Sequence, residues 1–170
     1  AAALRHAGGL VVWLKMRASE ADCKGWPVLN DRLRPANRER RMVELSEGGV
    51  GFELWAGNDV HAEDEIIVKT RYSAFTRGSS NLEELLSARG IGTVLVTGVA
   101  TNTCCESTAR DAMMLNFNTM MVADGCATKN DAAHNATLCS FYNAFGEIPM
   151  TDEIIARLDP ANPRDTAASG

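Results

Sequence analysis

Four short apolar runs divide the chain, and none of them shows the strict alternation of a half-buried strand. They cover residues 9–16, 65–70, 93–99 and 119–123. Val and Ile are prominent in the first three runs, which is typical of strands that are covered on both faces. We therefore predict four buried strands of the kind found in parallel sheets.

Helical patterns separate these runs. Two of them open with a capping-box pattern, at residues 80–83 and 103–106. We predict helices over residues 82–89, 104–116 and 132–145 and from residue 151 onward. Because strands and helices alternate, the sequence predicts an α/β fold, a three-layer α/β/α sandwich with a mainly parallel sheet and Rossmann-like crossovers.

Two segments depart from this alternation. Residues 18–61 contain a Gly-Gly pair, several turn residues, a basic run and two of the three tryptophans. We interpret them as an excursion over the sheet edge, with one short helix near residues 38–45. The Pro- and Ala-rich residues 159–170 are predicted to be a disordered tail. A single domain is therefore expected over residues 1–158.

Charge and cysteine content narrow the function classes. The net charge is −5 with acidic and basic residues interspersed, so neither a nucleic acid nor an anionic membrane is the expected partner. No apolar run reaches the length of a membrane span, and a cytoplasmic location fits best. The five cysteines include no CxxC pair, and the three histidines are scattered. This favours reduced thiols over disulfides or a zinc site.

One cysteine stands where chemistry is expected in a parallel α/β fold. In the segment VLVTGVATNTCCESTARDA a buried strand is followed by a short loop and a helix. With Thr103 as the N-cap, Cys104 is predicted to be the first helical residue. Backbone N–H groups and the positive helix end favour the thiolate there, and the same donors can hold an oxyanion. Ligands of parallel sheets bind beyond the carboxyl ends of the strands.

Helical periodicity separates Cys104 from its neighbour Cys105. The predicted buried stripe of this helix consists of Cys105, Thr108, Ala109, Ala112 and Met113. Cys105 heads the stripe and should be a packed thiol, whereas Cys104 lies off it. From the pattern alone, the alternative in which both are core cysteines stays open, since cysteine is among the most buried residue types.

The same segment resembles the nucleophile segment of isochorismatase-like cysteine hydrolases, G-φ-A-T-x-x-C-V-x-x-T-A-x-D-A with φ apolar. Cys104 falls on the nucleophile of that family, and Cys105 replaces a valine. Upstream, VKTRYSAF is similar to the family segment K-x-R-Y-S-A-F, which implies that Lys69 is the catalytic lysine. DGCAT, HNATL and MTDEII also resemble family segments, so the likeness spans residues 9–158.

The resemblance implies a function and further site residues. The segments RYSAF and ATNTC are most similar to the corresponding segments of ureidoacrylate, biuret and N-carbamoyl amino acid amidohydrolases, the ureido-cleaving branch of the family. This similarity implies cleavage of a C–N bond in a small amide or ureido substrate through a thioester-type acyl-enzyme. It also implies a cis peptide between Val99 and Ala100, an oxyanion hole made by the N–H groups of Ala100 and Cys104, and a homo-oligomer, either a dimer or a tetramer.

The sequence gives weaker indications of metal-binding and substrate-pocket residues than of the catalytic residues. The nicotinamidase branch carries an Asp/His metal site, but no D-x-H pattern follows the predicted first strand, so we expect no metal ion and no other cofactor. His134 is expected to be a hydrogen-bonded structural residue. Residues that could line a substrate pocket, although aromatics are more often core or interface, are Trp26, Phe52, Trp55, Arg71, Tyr72 and Phe75. The sequence leaves open whether Arg71 is structural or contacts an anionic group of the substrate.

The third catalytic residue of the family has no counterpart here. The family triad includes an aspartate in a D-x-Q-x-D segment, and this sequence contains none. We therefore expect the chain to be N-terminally truncated, without the first strand of the fold, and inactive as it stands. Two alternatives are a non-catalytic remnant kept for oligomerisation and an isochorismate-type vinyl-ether hydrolase. The latter uses no cysteine nucleophile, so Cys104 argues against it.

Overall fold

The computed structural model describes residues 1–159, which form parts of two compact units. The first unit contains residues 1–11 and the chain from residue 85 onward, and the second contains residues 12–84. The predicted tail lies, apart from Asp159, outside the described residues. Within residues 1–159, no helix has the length and apolar character that a membrane span requires.

Each strand of the chain is followed by one or more helices. Their order is α1 (Ala2–His6), β1 (Val12–Met16), α2 (Glu20–Lys24), α3 (Pro27–Asn30), α4 (Pro35–Glu44), β2 (Glu65–Lys69), α5 (Leu82–Ala88), β3 (Thr93–Val99), a π-helical turn (Thr101–Cys105), α6 (Glu106–Met114), β4 (Asn118–Ala127), α7 (Asp131–Ala144) and α8 (Thr151–Leu158). The predicted α/β class is confirmed.

The second unit is built on the parallel pair β1 and β2. The register runs from Val12 opposite Glu65 to Met16 opposite Lys69. The connection holds three helices, where the sequence predicted one. Each of them has a local signal. A capping box between Ser19 and Asp22 opens α2, and a proline in the first turn opens both α3 and α4.

The first unit is built on the parallel pair β3 and β4. Thr93 lies opposite Asn118, and the register shifts after Val96, so that Val99 lies opposite Ala127. β4 is longer than the predicted strand. β1 is shorter, because Gly8 (φ 79°) and Gly9 close α1 instead of entering the strand. The N–H of Gly9 donates to the Leu4 carbonyl at 2.8 Å, as at a glycine-terminated helix end.

The predicted parallel pairing of strands is confirmed. Within residues 1–159, β1 pairs with β2 in the second unit and β3 pairs with β4 in the first unit, and both pairs are parallel. Apolar runs identify segments that are buried as strands, but they contain no information about which strands become neighbours. Strand order is decided by long-range packing.

The core of the first unit lies between α6, α7 and β4. Its buried members are Cys105, Ala109, Met121, Cys126, Leu138 and Phe141. Thr108 and Ala112 are also buried, as the periodicity of α6 predicts. The prediction that Met113 is buried is wrong, since this residue is 40% exposed. It stands in the last turn of α6, where the chain leaves the helix and reverses through Asn116 (φ 71°).

Candidate active site

The segment between β3 and α6 is an unusual turn. The peptide bond between Val99 and Ala100 is cis, the geometry that the family resemblance implies. Residues Thr101–Cys105 form one π-helical turn, called here the nucleophile turn after the family segment that it resembles. The Ala100 carbonyl accepts the N–H groups of Thr103 at 3.1 Å and Cys105 at 3.2 Å. Single π-helical turns occur frequently at functional sites.

The predicted capping box at the start of this helix is wrong. Helical winding begins at Thr101 rather than after Thr103. The Glu106 carboxylate, expected to turn back to Thr103, instead accepts hydrogen bonds from Nε and Nη2 of Arg110 at 3.0 and 2.7 Å. Residues 103–106 have the sequence pattern of a capping box, but the Glu106 carboxylate pairs with Arg110, one turn later in the helix. Cys104 therefore lies inside the nucleophile turn and not at the first position of α6.

The two adjacent cysteines have different environments. Cys104 is partly exposed, whereas Cys105 is buried with 4% of its surface exposed. The Cys105 thiol donates to the Thr97 carbonyl at 3.8 Å, and the Cys126 thiol donates to the Val96 carbonyl at 3.5 Å. A hydrogen bond with the Cys105 thiol holds the pKa of Cys126 below its ordinary value, and burial opposes this. Cys105 is thus the packed core thiol that the periodicity predicts.

Two side-chain hydrogen bonds hold the nucleophile turn from outside. Thr101 is fully buried, and its Oγ1 lies 2.9 Å from Nδ1 of His134 on α7. Thr128 donates its hydroxyl to Oδ1 of Asn102 at 2.8 Å. The prediction that His134 is hydrogen-bonded is confirmed. Thr101, Asn102 and Thr128 were not identified from the sequence, although Thr101 belongs to the A-T pair of the family segment.

Lys69 lies in the second unit, as the last residue of β2. Only 4% of its surface is exposed. Its Nζ donates to the Arg71 carbonyl at 3.0 Å and the Tyr72 carbonyl at 2.9 Å, and lies 3.7 Å from Sδ of Met16. A buried ammonium group needs such acceptors to offset the loss of water. Lys69 is therefore an internally bonded group and not a solvated surface lysine.

The predicted pocket residues of the second unit fall into different environments. Arg71 and Tyr72 meet at Trp26: the guanidinium lies 5.2 Å from the centre of its ring, and the Tyr72 ring contacts it edge-on at 4.8 Å. Phe75 is a core residue at 9% exposure, whereas Trp55 is 75% exposed. Trp26 is one of the aromatics predicted for this group, but its contact with Arg71 has no signal in the sequence.

Within residues 1–159, no group of three or more His, Cys, Asp or Glu side chains is arranged to hold a metal ion. The exposed His61 ring lies 2.9 Å from Oδ1 of Asp59 and 3.2 Å from Oε1 of Glu63. These contacts tie one loop together locally.

Comparison with known proteins identifies the family. The isochorismatase domain matches residues 1–153. The chain belongs to the isochorismatase family. It is 34% identical over 169 residues to a ureidoacrylate amidohydrolase from Variovorax paradoxus, covering 94% of this chain and 66% of that protein. It is 41% identical over 93 residues to nicotinamidase 3 from Arabidopsis thaliana, covering 55% of this chain and 45% of that protein.

Solved structures agree with this assignment. A cysteine hydrolase from Pseudomonas syringae pv. phaseolicola superposes with a TM-score of 0.81 at 25% identity, covering 92% of this chain and 75% of that one. The predicted family is confirmed, and so is the predicted similarity to the ureidoacrylate amidohydrolase branch. The two curated proteins compared above are an amidohydrolase and a nicotinamidase, and the chain spans 66% and 45% of their lengths.

Proposed function

We propose that Cys104 is the nucleophile of a hydrolase that cleaves the C–N bond of a small amide or ureido compound. The observation that carries this proposal is the contrast between the two cysteines. Cys104 is partly exposed in the nucleophile turn, directly beyond β3 and the cis peptide, while Cys105 is buried. Ligands of parallel α/β folds bind beyond the carboxyl ends of strands, which is where this turn lies.

The proposed reaction has two stages. The Cys104 thiolate attacks the carbonyl carbon, a C–S bond forms, and the carbonyl π electrons move to oxygen. The N–H groups of Ala100 and Cys104 are proposed to donate to this oxyanion. The carbonyl then re-forms as the C–N bond breaks, and ammonia or an amine leaves with the proton that the Cys104 thiol gave up. Water attacks the resulting thioester, which releases the acid product and restores the thiol.

Lys69 is proposed as the second catalytic residue. Its support comes from the K-x-R-Y-S-A-F resemblance and from its environment in the second unit, where two carbonyl groups hold a buried ammonium. A fixed positive charge near a thiol favours the thiolate, which is the reactive form. A role for Lys69 predicts that Lys69→Met slows acylation of Cys104.

Similarity to a ureidoacrylate amidohydrolase supports a ureido compound as the substrate class. A cytoplasmic location and a homo-oligomer remain predictions. No residue of this chain is assigned to protonation of the leaving nitrogen, so the test of the nucleophile should not depend on that step.

An activated ester provides such a test. The p-nitrophenolate group of p-nitrophenyl acetate leaves without protonation, so acylation of a thiol releases it directly. In a Cys139→Ser background, which removes the exposed thiol on α7, we expect one equivalent of p-nitrophenolate and an acetyl group on the Cys104 peptide. Cys104→Ala should abolish the release, whereas the matched variant Cys105→Val should retain it.

Acetylation at Cys105, or an unchanged release from Cys104→Ala, would contradict the nucleophile assignment. Release of ammonia from an N-carbamoyl amino acid or a ureido acid is a separate assay. If Cys104 is acylated by the ester but neither ureido compound is cleaved, only the proposed reaction with this substrate class fails.

A further inference from the structure

The loop that follows β2, residues 70–79, folds back around the Lys69 side chain. Its first residues supply two carbonyl acceptors of the ammonium, from Arg71 and Tyr72. Because Lys69 is 4% exposed, water cannot easily replace either acceptor. The position of the ammonium group therefore depends on the position of this short stretch of backbone.

Ser79 closes the base of the loop. Its carbonyl accepts the Thr70 N–H at 3.1 Å, and its hydroxyl accepts the Arg71 N–H at 3.2 Å. The same hydroxyl donates to the Ser73 carbonyl at 2.7 Å. These bonds fix the two ends of the loop to each other but do not attach it to another element.

Arg71 makes that attachment. Its Nη2 donates to the Gly25 carbonyl, between α2 and α3, at 2.6 Å. Nη1 donates to the carbonyl and hydroxyl oxygens of Thr70 at 3.0 and 3.3 Å. The guanidinium also lies over the Trp26 ring, which the Tyr72 ring contacts from the side. Both residues that hold Lys69 through their carbonyls are thus anchored by their side chains to one short segment, Gly25–Trp26.

We infer that Arg71 is a positioning residue: with Trp26, it holds the two carbonyls that fix the Lys69 ammonium. The inference rests on the proposed catalytic role of Lys69. It favours the structural alternative for Arg71, because both terminal nitrogens donate to backbone carbonyls. A forked, planar cation is required, since it must bond two separate oxygens while stacking on a ring.

The rate at which Lys69 is chemically acetylated measures how well its amine is shielded. The lysines of this chain are Lys15, Lys24, Lys69 and Lys129. With a water-soluble acetylating reagent and peptide mapping, we expect Lys69 to react slowest and the exposed Lys24 to react fast. Arg71→Met and Trp26→Ala should each raise the Lys69 rate about tenfold, the factor expected when a hydrogen bond to a charged group is lost. Trp26→Phe keeps a ring beneath the guanidinium and should restore slow labelling.

Two controls separate positioning from a general loss of structure. Lys15 lies in β1 of the same unit and is also shielded, with 12% of its side chain exposed, so unfolding of the unit would expose it as well. Arg77 is an exposed arginine of the same loop, and Arg77→Met should leave all rates unchanged. Equal increases at Lys15 and Lys69, or no increase in Arg71→Met, would overturn the inference.

A second readout distinguishes this inference from the proposed function. Arg71→Met should slow p-nitrophenyl acetate attack by Cys104 as much as Lys69→Met does, and the double variant should be no slower than either. If Lys69→Met has no effect on Cys104 while the acetylation pattern holds, the catalytic role of Lys69 fails and the positioning of its side chain stands. If Arg71→Met slows Cys104 without exposing Lys69, the positioning inference fails.

Discussion

The hydroxyl oxygen of Thr101 and Nδ1 of His134 lie 2.9 Å apart, so a fully buried side chain of the nucleophile turn is hydrogen-bonded to α7. Thr101→Val keeps the shape of the side chain but leaves the ring nitrogen without this partner. We expect the free energy of unfolding to fall by about 1–3 kcal/mol, the usual cost of an unsatisfied buried polar group. Urea unfolding followed by circular dichroism measures this change.

The matched control is Thr128→Val, which removes the exposed hydrogen bond to Asn102 on the other side of the turn. Water can replace that bond, so we expect a loss below about 1 kcal/mol. Equal decreases in the free energy of unfolding for the two variants would show that the buried Thr101–His134 bond stabilises the turn no more than the exposed Thr128–Asn102 bond does.

The contrast between the two cysteines predicts an order of alkylation. In the native chain, iodoacetamide should modify Cys104 before Cys105, because only 4% of the Cys105 surface is exposed. Peptide mapping over a time course gives the two rates separately. In denaturant both peptides should be alkylated, which controls for their detection. Faster native modification of Cys105 would contradict the buried position of its thiol.

Cys105 also provides a packing test. Its side chain lies in the core of the first unit with Ala109 and Met121, and valine is of similar size and wholly apolar. We expect Cys105→Val to change the free energy of unfolding by less than about 1.5 kcal/mol. Cys105→Asp, which places a charge in the same position, should prevent folding or lower the melting temperature strongly. A tolerated aspartate would mean that the site is open to water.

Asp22 predicts a pH dependence of stability. The hydrogen bond from the Arg17 guanidinium, which donates from Nε at 2.9 Å, holds the pKa of Asp22 well below its usual range, with further bonds from Ser19 and against the effect of burial. Because the pKa is lowered in the folded state, the carboxylate stabilises the fold above the ordinary aspartate pKa. This contribution is lost as the pH falls through the lower, folded pKa.

The measurement is the difference in melting temperature between the native chain and Asp22→Asn. We expect a constant difference between about pH 7 and pH 5 and a narrowing below about pH 4, where the unfolded carboxyl begins to protonate. In an Arg17→Met background the difference should be smaller throughout. A difference that stays constant down to pH 2 would rule out the Arg17–Asp22 pair as its source.

Sequence periodicity alone determined several local features of this protein. The four apolar runs coincide with β1 to β4, and the helical stripe correctly placed Cys105 inside and Cys104 outside the core. Both features depend on which face of an element meets the apolar interior. The buried face of an element is determined by the spacing of apolar residues two to four positions apart, so it can be predicted without knowing which distant residues pack against it.

Tertiary structure alone decided the features that depend on a choice between partners. The Glu106 carboxylate could accept hydrogen bonds from either Thr103 or Arg110. It accepts from Arg110, and a π-helical turn stands where the capping box was predicted. The Arg71 guanidinium bonds the Gly25 carbonyl, far away in sequence, and the strands pair two by two. A side chain or strand edge can satisfy its hydrogen bonds in many ways, and packing of the whole unit selects among them.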